Sequence, residues 1–224
     1  MGILKTITDE YFGETVRKED EINIEGLNVE IVSFTDNNKK YHGKGYKPKN
    51  LKNLRNLLKR MIEVRGDEGD FNDIDTSDIK IMDSLFRENK TFNGDISGWN
   101  VSSVESMSEM FCGAKSFNQP IGNWNVSSVK DMGCMFLYAT SFNQPIKKWD
   151  VSNVKNMSSM FYGAESFNQP IKKWDISNVI RISCMFYNAK SFNQDLSKWD
   201  LSGKDIGDTF KNCPIKDKYK PKMV

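Results

Sequence analysis

SFNQPIKKWDISNVIRISCMFYNAK, residues 166–190, is one unit of a pattern that recurs every 25 residues. All five tryptophans, Trp99, Trp124, Trp149, Trp174 and Trp199, obey that step. So do two phenylalanine series, Phe92, Phe117, Phe142, Phe167, Phe192 and Phe86, Phe111, Phe136, Phe161, Phe186. Eight of the eleven methionines fill two further slots, Met82, Met107, Met132, Met157 and Met110, Met135, Met160, Met185. Self-similarity at such a period signals a repeat architecture and is read before any local propensity.

Within the unit, Trp174 and Ile176 alternate with Asp175, the two-residue period of a short strand with one buried face. Further on, Val154, Met157, Met160, Phe161 and Ala164 fall at steps of three and four, the stripe of a helix, with Ser152 placed as its N-cap. Each unit therefore reads as a strand, a corner and two or three turns of helix or 3₁₀-like coil. One unit alone buries too little apolar surface to offset the entropy of ordering it, so stability must come from stacking copies. The expected fold is an α/β solenoid of about six such turns with a parallel sheet, its Trp, Phe and Met rows forming the core.

The repeat occupies residues 71–215, with Ile74 in the first Trp slot and a last copy, Leu201 to Phe210, one residue short. Residues 1–70 lack it. There Ile22, Ile24, Val29, Ile31 and Phe34 read as strands around a Glu25-Gly26 corner, and Asp36-Asn37-Asn38 marks another turn. Leu51, Leu54, Leu57, Leu58, Met61 and Ile62 form a helical stripe after Pro48, closed by Gly66. This segment reads as a small β-plus-helix cap over the first exposed turn. Residues 216–224 read as a flexible basic tail.

The units, with Phe167-Asn168-Gln169-Pro170-Ile171, Trp174-Asp175 and Met160-Phe161, closely resemble the repeats of BspA-like leucine-rich-repeat proteins. Those are bacterial surface-protein repeats of mycoplasma and Listeria lipoproteins, of unknown function. Ile171, Trp174 and Ile176 echo the leucine-rich-repeat strand, although Val179 stands where its Asn or Cys would be. The resemblance implies a right-handed solenoid of leucine-rich-repeat-like turns that serves adhesion or protein binding at a surface. It implies no catalytic residue.

The 224 residues carry 32 Lys and Arg against 30 Asp and Glu, so no global field draws the chain to nucleic acid or an anionic membrane. No apolar run reaches membrane-spanning or signal-peptide length, which places the expected compartment in the cytoplasm. A proton-shuttling centre would have to use the single histidine, His42, for which nothing marks a partner. Cys134 and Cys184 share one slot two turns apart, about 10 Å at strand spacing, beyond the reach of about 7 Å of a disulfide. With no Cys-x-x-Cys pair, the four cysteines read as free thiols. The glycines of His42-Gly43-Lys44-Gly45 lack both phosphate-loop spacings. No enzyme activity, cofactor or metal is expected.

Two surfaces remain. Residues 41–65 carry a net +7, from Lys44, Lys47, Lys49, Lys52, Arg55, Lys59, Arg60 and Arg65 less Glu63, a basic face that could meet an anion. On the strands, Lys148 with Asp150, Lys173 with Asp175, and Lys198 with Asp200 are expected to point outward as an ion-paired stripe, where earlier turns carry Gly98 with Asn100 and Asn123 with Asn125. Asn118, Asn143, Asn168 and Asn193 recur beside a core Phe and are expected to bond corner backbone groups. The functional expectation is a non-catalytic binding module that recognises a protein through its exposed sheet face, those six residues forming the site. The alternative is an assembly component docking through its cap domain or terminal repeat at Phe210 and Ile215, self-association included.

Overall fold

The computed structural model describes residues 22–35 and 42–221. The chain turns at Glu25-Gly26, where Gly26 takes φ +73° and Leu27 N–H donates to Ile24 O at 2.9 Å. It then forms β1, Val29–Thr35, paired antiparallel with β2, His42–Pro48, with Ile31 opposite Tyr46. The expected turn at Asp36-Asn37-Asn38 lies outside the described residues. The leucine stripe forms α1, Leu51–Arg65. Asn50 caps it through Asn53 N–H, and Gly66 at φ +75° ends it by donating to Ile62 O. Leu54, Leu57, Leu58 and Met61 are buried in the same core as the repeats.

The repeat region corrects the expected α/β solenoid with a parallel sheet. Among the described residues the only sheet is the antiparallel pair β1–β2 and the only α-helix is α1. Parallel contacts between copies are single-residue bridges, Ile81 to Ser106, Asp131, Asn156, Arg181 and Asp205 in succession. The segment Trp174-Asp175-Ile176 is not a strand but the join of two tight turns, closed by Trp174 N–H to Ile171 O and Val179 N–H to Ile176 O, both 3.0 Å. No leucine-rich-repeat strand is built there.

Nor is the stripe from Val154 to Ala164 a helix. Met160, Tyr162 and Ala164 donate to Met157, Ser159 and Phe161, each three residues back, so the segment is a chain of overlapping turns. Ser159 has φ +55° and Gly163 +64°, which breaks the dihedral run an α-helix needs. The alternate N–H groups of Met157, Ser159, Phe161 and Gly163 leave the copy and donate to Arg181, Ser183, Met185 and Tyr187 of the next, at 2.8–2.9 Å. Overlapping four-residue turns place apolar side chains at steps of three and four just as a helix does, which is why the pattern misleads. Ser152 caps no helix; its hydroxyl donates to Asp150.

These inter-copy bonds make successive copies lie one on another. Phe136 and Phe161 stack at 5.6 Å between ring centroids, Trp149 and Trp174 at 6.4 Å, and all five tryptophans are between 3 and 5% exposed. Four indoles donate to main-chain oxygens, Trp99 to Phe71, Trp124 to Ile96, Trp149 to Ile121 and Trp174 to Ile146. The asparagines form a ladder: Asn118, Asn143, Asn168 and Asn193 each donate N–H to the Oδ1 of the asparagine one copy earlier, beginning at Asn93. Beyond the last copy Ile215 is buried, and a 3₁₀ turn, Asp217–Tyr219, follows, with Leu196 N–H donating to Tyr219 O.

Candidate functional site

Lys148, Asp150, Lys173, Asp175, Lys198 and Asp200 are all exposed, and they flank the buried Trp149, Trp174 and Trp199. They stand on tight turns, not on a sheet face. Each aspartate closes its corner: Asp150 accepts from Ser152 N–H and Oγ, Asp175 from Ser177 N–H, and Asp200 from Ser202 N–H. Asn100 and Asn125 do the same for Ser102 and Ser127, so the slot requires an Asx acceptor and not a charge. The serine hydroxyls hold Asp150 and Asp200 below the usual carboxylate range, and the Ser177 amide does so for Asp175.

The expected ion pairing of this stripe is therefore replaced by aspartate–serine turns. No pair joins Lys148 to Asp150, Lys173 to Asp175 or Lys198 to Asp200 among the described residues. The neighbouring lysine, Lys172, does pair, with Asp195. That ammonium, with Ser197, drives the Asp195 carboxyl well down. Three ammonium groups, Lys148, Lys173 and Lys198, thus recur on successive copies without a paired carboxylate among the described residues.

Five of the eight cations of residues 41–65 bond to their own chain. Lys47 bridges Asp78 at 2.9 Å and Asp75 at 3.5 Å, Lys49 pairs with Glu30, and Arg65 pairs with Asp73 at 2.7 Å. Arg55 donates to Asp83 O of the first copy and Arg60 to Asn23 O. Lys47, Arg55 and Arg65 clamp the hairpin and α1 to the repeats, while Lys49, Lys52 and Lys59 stay exposed on this face.

A second row escaped the sequence reading. Tyr162 and Tyr187 stack at 4.6 Å, Tyr138 meets Tyr162 edge-on at 5.3 Å, and Lys211 Nζ lies 5.5 Å from the Tyr187 ring. Tyr138 is 47% exposed, holds φ +55° and lies against Gly163, where an added Cβ would come within 2.5 Å of its ring. In the sequence Tyr162 and Tyr187 share one slot with Leu137, while Tyr138 stands one position further on.

The four cysteines are free, and burial pushes the Cys112 thiol up to about 11. No group of three or more His, Cys, Asp or Glu among the described residues could hold a metal. No helix among them is long and apolar enough to cross a membrane. A shallow polar depression runs across Ser102, Ser127 and Asn153, spanned by the Lys130–Glu105 pair at 2.6 Å.

Residues 52–161, and again residues 129–220, match the family described as Mycoplasma protein of unknown function, DUF285. The two matches overlap, as a repeated unit allows. No curated protein and no solved structure matches the chain.

Proposed function

The chain belongs to the DUF285 family of Mycoplasma proteins of unknown function, and from that premise we propose that it is a non-catalytic module that binds a protein through the side of its stacked copies. Within the family, the Phe-Asn-Gln-Pro-Ile and Met-x-x-Met-Phe motifs favour kinship with BspA-like repeats, for which a binding role is the implied one.

One observation carries the reading. Lys148, Lys173 and Lys198 repeat at the copy spacing on a rigid support, and the carboxylates beside them are engaged by serines. Side chains held in register by a packed core lose little freedom on association, so their charge is presented to an acidic partner segment at small entropic cost. The tyrosine row offers the aromatic surface that protein interfaces favour.

Capture from a lysate of the native source, followed by identification of co-purifying chains, tests this with two variants. Lys148→Glu/Lys173→Glu/Lys198→Glu is expected to lose a specific partner at low salt while its circular dichroism stays that of the parent. Tyr138→Ala/Tyr162→Ala/Tyr187→Ala serves as comparison. Retention of the partner by the lysine variant and its loss by the tyrosine variant would move binding to the tyrosine row. Retention by both would remove side-face binding altogether.

A further inference from the structure

Each copy passes four alternate main-chain N–H groups to carbonyls of the next, so the two ends of the stack are each left with one half of that exchange. Between the first two copies Met82, Ser84, Phe86 and Glu88 donate to Ser106, Ser108, Met110 and Cys112 at 2.7–2.9 Å. In the last copy the same donor slots hold Ile206, Asp208, Phe210 and Asn212, whose N–H groups have no acceptor among the described residues. In the first copy the same acceptor slots hold Ile81, Asp83, Leu85 and Arg87. The carbonyls of Ile81, Leu85 and Arg87 receive no donor among the described residues, and Asp83 O receives Arg55 of α1 at 2.5 Å. Both caps leave these segments open. At the first end β2 closes the Ile74 corner instead, Tyr46 N–H donating to Asp73 O and Asp75 N–H to Tyr46 O. At the last end the chain folds back over another corner, where Leu196 N–H donates to Tyr219 O and Lys216 N–H to Asn193 Oδ1.

Donors at one end and acceptors at the other match in number, in two-residue spacing and in direction. A row of unpaired main-chain groups is a template for another chain, and here the tail of one molecule offers the head of a second the contact that neighbouring copies already make. We infer that this chain associates with itself head to tail, Ile206, Asp208, Phe210 and Asn212 of one molecule donating toward Ile81, Asp83, Leu85 and Arg87 of the next. Charge adds to the match. Asp208 stands in the slot of Ser84 and Glu109, whose side chains meet across copies, Ser84 Oγ donating to Glu109 Oε2 at 3.2 Å. In the junction the Asp208 carboxylate therefore comes beside Ser84 and the guanidinium that Arg55 holds at Asp83 O. Phe86 is already buried, so the ring row does not run on across the junction. The contact is a rim of main-chain bonds with one ion pair, and an interface that small binds weakly. Because head and tail are different surfaces at opposite ends of a stack, repetition of the contact gives an open linear chain. This association does not depend on the lysine row.

Sedimentation equilibrium and amide hydrogen exchange on the full chain test it. The weight-average mass should rise at least about 1.5-fold between about 0.01 and 1 mM protein. Over the same range exchange should slow at Ile206, Asp208, Phe210 and Asn212, while Ile182, Cys184, Phe186 and Asn188, which donate within the molecule, stay protected throughout. Asp208→Arg and Arg55→Asp, both at exposed positions, should each return the mass to that of the monomer with the circular dichroism of the parent. The charge swap Arg55→Asp/Asp208→Arg should restore association. A mass that does not change with concentration overturns the inference, and so does a swap that fails to restore it. Association that leaves the four edge amides unslowed, or that both single variants retain, places the contact elsewhere and overturns it too.

Discussion

Asp150, Asp175 and Asp200 show how one exposed side chain shapes the backbone beneath it. Their carboxylates sit below the ordinary value because serine N–H and O–H groups donate to the charged form. The unfolded chain, with an aspartate value near 3.9, therefore binds these protons first as pH falls. Their contribution to stability is complete above about pH 4 and drains away as pH drops through the lower folded values. Asn100 and Asn125 do the same work uncharged. The variant Asp150→Asn/Asp175→Asn/Asp200→Asn is thus expected to keep the parent circular dichroism at pH 7 and to lose less stability between pH 4 and 2. An acid-unfolding curve that superimposes on the parent would contradict this, as would loss of signal at neutral pH.

At the scale of elements, α1 and the repeat coil solve the same problem in different ways. The helix spends its N–H groups internally and needs only caps at Asn50 and Gly66. The coil closes one set of N–H groups on the residue three back and sends the other to its neighbour. Corners are tied by the asparagine ladder, where Asn143 Oδ1 accepts from Asn168 N–H at 3.0 Å and from Gln169 Nε2 at 3.0 Å. Asn143→Ala leaves both donors without that oxygen and should cost about 1–3 kcal/mol in urea denaturation. Asn143→Asp keeps an acceptor in place and should cost less. Equal losses would mean that the ladder contributes through packing alone.

For the molecule as a whole, the central quantity is how well neighbouring copies exclude water from one another. Trp99 to Trp199 are shielded in every copy, and Met107, Met132 and Met157 are fully buried. Acrylamide should therefore quench native tryptophan fluorescence far less than it does in urea, and the emission should shift to the red only on unfolding. Easy quenching of most indoles in the native protein would be incompatible with these contacts. Trp199 adds a local detail, because its buried Nε1 has no acceptor among the described residues in the place where the four earlier indoles each have one.

The repeat makes the interior legible from the sequence. Membership of the core is a property of side chains, and a 25-residue period names the same slot again and again: Trp174, Phe167, Met160. Helix α1 was equally plain, since its stripe, its N-terminal asparagine and its closing glycine are all local. The backbone path of the repeat was not. A step of three and four residues fits a helix and a pair of turns alike, and the choice rests on Ser159 and Cys184 taking positive φ so that alternate N–H groups can reach a copy 24 residues away. The six candidate residues were found on the surface, but the serine that takes each aspartate, and the tyrosines that line up from Tyr138 to Tyr187, depend on where the turns aim them. Sequence alone determined which side chains avoid water, because burial adds up residue by residue; the tertiary structure decided which group each main-chain donor meets, because that partner lies in another copy.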